Sequence, residues 1–200
     1  MIDEKPRAII IGNSPSVLNY EYGEYIDSFD IVIRCNWYKI KNFEKHVGTK
    51  TSIWSFAAGT EFVRILNSPT DTHYLEKEQD PHQFNELWIR HGQDASMKAF
   101  RKKYPDLKYK QIPPSWKNYC IGLASCKFAL KELDVSEVWS FGNTFYLEKN
   151  KKGGTFHYYD IHKGKSELDR LGKKVAESKK ENQKVLNDLP VKILEKEGIK

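Results

Sequence analysis

The stretch over residues 7–36 constrains the fold more than any other part of this chain. It opens with an uninterrupted apolar run at residues 8–11, which is typical of a strand buried on both faces of a sheet. A polar turn and a helix follow, and residues 30–35 then have the pattern of a second strand. Strand, turn, helix and strand make a βαβ unit, so we expect two parallel strands here.

The turn after the first strand has the residues of a ligand-binding loop. Gly12 lets the backbone approach a ligand closely, and Asn13 adds a polar amide. Ser14 or Ser16 can cap the helix, whose first turn accommodates Pro15. Because open α/β sheets bind ligands at the carboxyl ends of their strands, we expect a phosphorylated ligand here. On this loop alone, an unrelated α/β domain with a glycine after its first strand explains the pattern equally well.

Two further segments accompany this turn along the chain. The sequence GNSPS at 12–16 is followed by IDSFDIVIRCN at 26–36 and by VGTKT at 47–51. In order and spacing, these segments resemble the large sialyl motif of the sialyltransferases. The resemblance implies a single Rossmann-like α/β domain, a GT-A variant with a mostly parallel sheet flanked by helices. It also implies that a CMP donor contacts Gly12, Asn13, Ser14 and Asn36.

A later segment carries another part of this resemblance. Residues 118–133 have apolar side chains at helical spacing, and 137–142 have the pattern of a following strand. The stretch 119–142 resembles the small sialyl motif, in which a helix that opens with a glycine approaches the nucleotide. Gly122 is the matching glycine, so the resemblance places it at the donor. Cys120 and Ile121 stand where the family usually has Ser or Thr before that glycine.

The remaining patterns predict further alternation of strands and helices. We expect strands within 48–56 and at 86–91, 108–112 and 189–194, and helices at 59–66, 94–104 and 166–186. Residues 67–84 are polar and interrupted by prolines, as in a long loop. The resemblance leaves 67–111 unmatched, and we interpret this range as a variable region on the acceptor side. All 200 residues are expected to form one glycosyltransferase domain.

A histidine cluster forms a second chemical centre. The sequence HYYD that begins at His157 resembles the third sialyl motif, and His162 with Glu167 matches the very small motif. Neutral imidazole can act as a base near pH 7, since histidine titrates at pH ~6.5. A second histidine and a tyrosine hydroxyl can donate to a departing phosphate. We assign His162 as the base and His157 with Tyr158 as leaving-group donors, while Glu167 supports His162 and Tyr159 lies at the donor.

Two other interpretations of this cluster stay open. His157, Asp160, His162 and Glu167 can all bind a metal, although their spacing matches no zinc motif such as HExxH. A third interpretation takes both histidines as ordinary loop residues. No Asp-x-Asp pair, the metal anchor of other nucleotide-sugar transferases, occurs in the chain. We therefore expect a metal-independent reaction without a cofactor, in which the CMP-sugar is a substrate.

The composition is that of a globular protein, with 39% apolar and 30% charged residues. No apolar run approaches the ~20 residues that span a bilayer, and no signal peptide opens the chain. The three cysteines form no CxxC pair. The disulfide that is usual in the family would need cysteines near Ala8 and Leu133, and neither is present. A reducing cytoplasm of bacterial or viral origin is therefore the expected location.

Together these features predict an inverting sialyltransferase that moves sialic acid from CMP-sialic acid to a hydroxyl of a glycan or glycolipid. Among enzymes, transfer of a related acidic sugar such as Kdo from its CMP donor is the alternative. Outside them, the alternative is a non-catalytic module that binds a nucleotide or nucleic acid. Nucleic acid is not expected as a partner, because the basic residues do not cluster with interleaved aromatics. Peripheral membrane contact and the oligomeric state stay open.

Overall fold

The protein is built on a parallel sheet of seven strands. The computed structural model describes residues 4–57, 84–90, 98, 101–102, 105–116, 119–143, 145 and 181–199. The strands are β1 (Arg7–Ile11), β2 (Ile31–Cys35), β3 (Ile53–Phe56), β4 (Glu86–Ile89), β5 (Lys108–Gln111), β6 (Glu137–Phe141) and β7 (Val191–Ile193). Their spatial order is β5-β4-β3-β2-β1-β6-β7, and every described pairing is parallel. The predicted α/β class is therefore confirmed.

The helices of the described residues connect and cover these strands. They are α1 (Gly23–Asp27), α2 (Glu44–Val47), α3 (Ile121–Glu132) and α4 (Leu194–Glu197), with 3₁₀ helices at Pro15–Asn19 and Pro114–Trp116. Residues 181–188 are also helical. None of the helices in these ranges has both the length and the apolar character that a bilayer crossing requires.

The strand order reverses direction at β1. From β1 the chain builds the sheet outward through β2, β3, β4 and β5, and it then returns to add β6 and β7 on the other side of β1. Such a reversal separates the loops that leave the two strands on either side of it, and in open α/β sheets it marks a crevice at their carboxyl ends. We therefore expect a ligand near the carboxyl ends of β1 and its neighbours.

Both faces of the central strands are buried, as the apolar run at residues 8–11 predicts. Successive side chains of a strand point to opposite faces, so Ile10 packs with α3 residues such as Leu123, whereas Ile9 packs with Phe29 on the other face. Each of these four side chains is fully inaccessible to solvent. Burial of one such side chain stabilises the fold by ~1.5–3 kcal/mol.

Several predicted elements differ in detail from those observed. The single helix expected after the first turn is split, because Tyr20 is extended and packs edge-on against Phe141. The third strand occupies only Ile53–Phe56, and the final strand gives way to α4 at Leu194. The region 67–111 contains β4 and β5, so part of it belongs to the sheet itself.

Four other predicted segments cannot be compared in full. The helix at 59–66 lies outside the described residues, and so does almost all of the loop at 67–84. The helix at 94–104 and the first part of the helix at 166–186 also lie mostly outside them.

Candidate functional site

Three asparagines lie at the carboxyl ends of three neighbouring strands. Asn36 follows β2, Asn13 follows β1 by two residues, and Asn143 follows β6 by two residues. The strands β2, β1 and β6 are direct neighbours in the sheet, so these amides lie at one edge. Asn143 was missed by the sequence reasoning. Its signal is the Gly142-Asn143 pair after an apolar strand, which repeats the Gly12-Asn13 pair after β1.

The turns that follow β1 and β6 are joined by backbone hydrogen bonds. The N–H of Gly12 donates to the carbonyl oxygen of Phe141 at 2.8 Å, and that of Ser14 donates to the carbonyl of Gly142 at 2.9 Å. Gly142 adopts the left-handed conformation with φ of 66°, which favours glycine. Its own N–H donates to Glu195 Oε1 of α4 at 2.7 Å. The pairing of β1 with β6 thus continues past both strands and fixes one wall of the crevice.

Asn13 presents an acceptor whose hydrogen-bonding capacity is unused. Its Nδ2 donates to the carbonyl oxygens of Cys35 at 2.9 Å and Trp37 at 2.8 Å, so the orientation of the amide is set by two obligate acceptors. Its Oδ1 is buried and has no hydrogen-bond partner among the described residues. An unsatisfied buried acceptor costs ~1–3 kcal/mol, which a hydroxyl or amino group of a ligand would recover.

The side chain of Asn36 offers a hydrogen-bond donor, whereas that of Asn13 offers an acceptor. Asn36 is left-handed with φ of 51°, and its Oδ1 accepts from the N–H of Ala57 at 3.1 Å. Its carbonyl oxygen accepts from Trp54 Nε1 at 2.6 Å, which fixes the turn. No bond within the described part of the chain uses its Nδ2, so this amino group is a donor for an anionic or carbonyl oxygen.

Ser14 has the capping role that the sequence predicts. Its Oγ accepts from the N–H of Ser16 at 3.3 Å and lies 2.9 Å from Ser16 Oγ, at the start of the 3₁₀ helix. Pro15 occupies the first turn, as expected. Because its hydroxyl is occupied by this cap, Ser14 shapes the turn beside Asn13.

Gly12 and Gly122 meet around the side chain of Asn143. A Cβ atom at Gly12 would lie 2.3 Å from Asn143 Oδ1, and one at Gly122 would lie 2.1 Å from the same oxygen. Contacts this short exclude any side chain at either position while Asn143 stays in place. The structure therefore brings together Gly12 and Gly122, two residues of the predicted CMP-sugar site, and it adds Asn143 to them.

The start of α3, next to Gly122, is held without a hydroxyl cap. The N–H of Cys120 donates to Oδ1 of the fully buried Asn182 at 3.3 Å. Burial raises the pKa of the Cys120 thiol to about 11, against hydrogen bonds from the N–H groups of Leu123 and Gly122. The cysteine that replaces the family's hydroxyl residue is thus a neutral group beside the crevice.

All three cysteines of the chain are buried and free. Burial raises the pKa of the Cys35 thiol to about 12, although its hydrogen bond with Ser125 lowers it. Burial also raises the pKa of Cys126 well above its ordinary value. These thiols are protonated at neutral pH, which lowers their reactivity as nucleophiles.

Arg34 and Asp27 explain why the segments 26–36 and 47–51 occur together. The fully buried Arg34 donates through Nη2 to the carbonyl oxygens of Val47 at 2.9 Å and Gly48 at 3.1 Å, and through Nε to Thr51 Oγ1 at 2.9 Å. Asp27 accepts from the N–H of the two residues after Gly48, at 2.8–2.9 Å. Both side chains therefore hold the loop before β3. The signal of Arg34 in the sequence is its charge inside an apolar strand, which requires buried partners.

The predicted histidine centre lies outside the described residues. This applies to each of its members, which are His157, Tyr158, Tyr159, His162 and Glu167. Within the described ranges, no group of three His, Cys, Asp or Glu side chains is arranged to hold a metal ion.

Sequence comparison identifies relatives along most of the chain. The sequence model of glycosyltransferase family 29 (sialyltransferase) matches residues 3–189. The CMP-N-acetylneuraminate-beta-galactosamide-alpha-2,3-sialyltransferase 1 of Gallus gallus is 25% identical over 185 residues, which cover 82% of this chain and 54% of that protein. The Beta-1,6-galactosyltransferase GALT29A of Arabidopsis thaliana is 52% identical over 44 residues, which cover 22% of this chain and 11% of that protein. The chain thus spans about half the length of the first of these relatives and a smaller share of the second.

A solved structure has the same fold. The crystal structure of a mammalian sialyltransferase superimposes with a TM-score of 0.55 and 16% sequence identity, covering 94% of this chain and 68% of that chain. At this identity the likeness concerns the fold, which is the parallel sheet and its flanking helices.

Proposed function

Because the chain belongs to glycosyltransferase family 29, the sialyltransferases, we propose that it transfers sialic acid from CMP-sialic acid to a hydroxyl of a glycan or glycolipid. The reaction proceeds with inversion at the transferred carbon, on a variant of the GT-A type of fold. The observation that carries this proposal is the unused Oδ1 of Asn13, whose amide lies between the carboxyl ends of β1 and β2. A nucleotide has the hydroxyl and amino groups that such an acceptor requires.

The polarity of the crevice supports a nucleotide ligand. Asn13 Oδ1 accepts, whereas Asn36 Nδ2 donates, and both lie at the carboxyl ends of adjacent strands. A mononucleotide presents hydroxyl and amino donors together with phosphate and carbonyl acceptors. Gly12 and Gly122 leave room for the side chain of Asn143 beside these amides.

The proposed chemistry assigns the acid and base roles to the histidine centre. His162 removes the proton of the acceptor hydroxyl, and Glu167 supports it. His157 and Tyr158 donate to the departing phosphate as negative charge develops on it, and Tyr159 contacts the donor. A general base of this kind contributes ~10²–10⁴-fold to the rate.

Metal independence and a reducing location complete the proposal. The chain contains no Asp-x-Asp pair to hold a cation against the phosphate, so the leaving group is stabilised by side-chain donors. Three free, buried cysteines suit the cytoplasm, where thiols stay reduced.

Calorimetric titration with CMP tests the nucleotide site. The wild-type chain should bind CMP, and Asn13→Ala should weaken binding by ~10–100-fold because a buried polar contact is lost. Asn85→Ala is the matched control, since Asn85 is exposed at the amino end of β4, on the opposite edge of the sheet. The proposal is rejected if wild-type protein fails to bind CMP at millimolar concentration.

A donor panel then tests the sugar. CMP-sialic acid should be hydrolysed or transferred faster than CMP-Kdo or a nucleotide-activated galactose. Galactose is included because the relative from Arabidopsis is named as a galactosyltransferase. Faster turnover of either rival would replace sialic acid in the proposal, and CMP binding without turnover of any donor would indicate a non-catalytic nucleotide-binding module.

A further inference from the structure

Asn143 holds its amide in a fixed orientation at the centre of the crevice. Its Nδ2 donates to Ser140 Oγ at 2.9 Å, to the carbonyl oxygen of Ile10 at 3.2 Å and to that of Phe141 at 3.3 Å. Carbonyl oxygens only accept hydrogen bonds, so the amide cannot be reversed without loss of these contacts. The Oδ1 atom must therefore point away from the sheet.

The Oδ1 atom lies in the gap between Gly12 and Gly122. The space that a Cβ would occupy at either glycine is within 2.3 Å of this oxygen. No hydrogen bond in the described ranges reaches Oδ1, and it is not one of the buried unsatisfied atoms there. An acceptor with unused capacity and access to solvent thus lies between two residues of the proposed donor site.

The chemistry of this atom restricts what it can bind. A neutral carboxamide oxygen accepts hydrogen bonds and cannot donate them. A phosphate at neutral pH also presents acceptors, so it does not pair with Oδ1. The hydroxyls of a ribose and the exocyclic amine of cytosine are donors, and a CMP-sugar contains both.

We propose that Asn143 Oδ1 accepts a hydrogen bond from the nucleoside part of the donor, through a ribose hydroxyl or the base amine. Asn143 is then a specificity-determining residue that touches the substrate. This inference rests on the proposed function, because it takes the crevice to be the nucleotide site. The competing role is that of a brace, in which Asn143 only joins β1 to the turn after β6.

Calorimetry with four nucleotides separates these roles. The 200-residue chain is titrated with CMP, 2′-deoxy-CMP, 3′-deoxy-CMP and UMP, and each analogue lacks one hydrogen-bond donor of CMP. Wild-type protein should bind CMP ~3–10-fold more tightly than the analogue that lacks the contacted group. Asn143→Ala should weaken CMP binding by a similar factor and abolish that preference. Asn85→Ala should retain both the affinity and the preference.

Melting temperatures of the same variants identify a brace. If Asn143→Ala melts at a lower temperature but keeps the wild-type preference among the nucleotides, Asn143 is a brace and the inference is overturned. A wild-type protein that binds all four nucleotides equally also overturns it, and this needs no variant. Wild-type protein that binds no CMP overturns the proposed function together with this inference. Should Asn143→Ala not fold, Asn143→Ser replaces it, because serine retains a donor but is too short to reach the two glycines.

Discussion

Replacement of Gly122 by alanine should destabilise the protein because the new methyl group displaces one side chain, that of Asn143. The new Cβ would lie 2.1 Å from Oδ1, 2.7 Å from Cγ and 3.4 Å from Cβ of Asn143, and no other residue is among its three nearest atoms. Asn143 would have to leave its position and lose its three hydrogen bonds. The two N–H groups of Nδ2 share these three contacts, so at ~0.5–1.5 kcal/mol for each N–H the loss amounts to ~1–3 kcal/mol.

A compensating gain reduces this loss. Alanine in place of glycine in a helix stabilises the fold by ~0.4–1 kcal/mol when its backbone is compatible, and Gly122 lies in the first turn of α3. The free energy of unfolding should then decrease by up to ~2.5 kcal/mol, and a chain of this size should melt ~2–4 °C lower per kcal/mol. In an Asn143→Ala background the obstacle is gone, so Gly122→Ala should instead stabilise the protein slightly.

Gly12→Ala is the matched control for this double-mutant cycle. Its Cβ would lie 2.3 Å from Asn143 Oδ1 but also 2.3 Å from the carbonyl oxygen of Gly142, which is backbone and cannot move aside. Removal of the Asn143 side chain should therefore rescue Gly122→Ala and leave Gly12→Ala destabilised. Urea denaturation of the four Gly122/Asn143 variants gives the coupling energy. Equal destabilisation by Gly122→Ala in both backgrounds would show that the contact with Asn143 is not the cause.

Three further predictions concern the thiols, the histidines and the metal. The Cys35 thiol titrates at about 12 when folded and at its ordinary 9.0 when unfolded, so its contribution to stability is complete below pH 9 and is lost as the pH rises towards 12. The free energy of unfolding should fall by ~1.4 kcal/mol per pH unit for this thiol above pH ~9, and a Cys35→Ala variant with an equally steep fall would contradict this. His162→Ala should lose most sialic acid transfer but keep its CMP affinity. His157→Ala should instead bind CMP more weakly and slow both transfer and donor hydrolysis. Near-normal transfer by His162→Ala would remove His162 from the mechanism. Turnover should survive exhaustive EDTA treatment, and restoration of a lost activity by magnesium or manganese would show that a cation stabilises the leaving group.

The sequence predicts the strands well because their signals are local. The apolar run before Gly12 and the strand before Gly142 are both in the sheet, where burial on two faces selects continuous apolar segments. The capped turn at Ser14 and Pro15 is equally local, since cap and helix are adjacent in the chain. The class of fold follows from the alternation of such elements.

The contacts that build the site are not local, which is why some of its residues were missed. Asn143 acquires its place from Gly12 and Gly122, and no single segment of sequence contains all three. Arg34 belongs to the motif at 26–36, but it holds the loop before β3 through carbonyl groups thirteen or more residues away. Pairing between distant strands determines such contacts, whereas periodicity and turn chemistry report only neighbouring residues.

The position of β1 beside β6 has a consequence for synthesis of the protein. Asn143 bonds to the carbonyl oxygen of Ile10, 133 residues earlier in the chain. At ~5–20 residues per second, a ribosome needs roughly 7–27 s to make the intervening chain. During this interval β1 can pair with β2 but its other edge is unpaired, and an open strand edge attracts other chains. The nascent protein therefore passes through a stage prone to association, and the crevice between β1 and β6 cannot form before that stage ends.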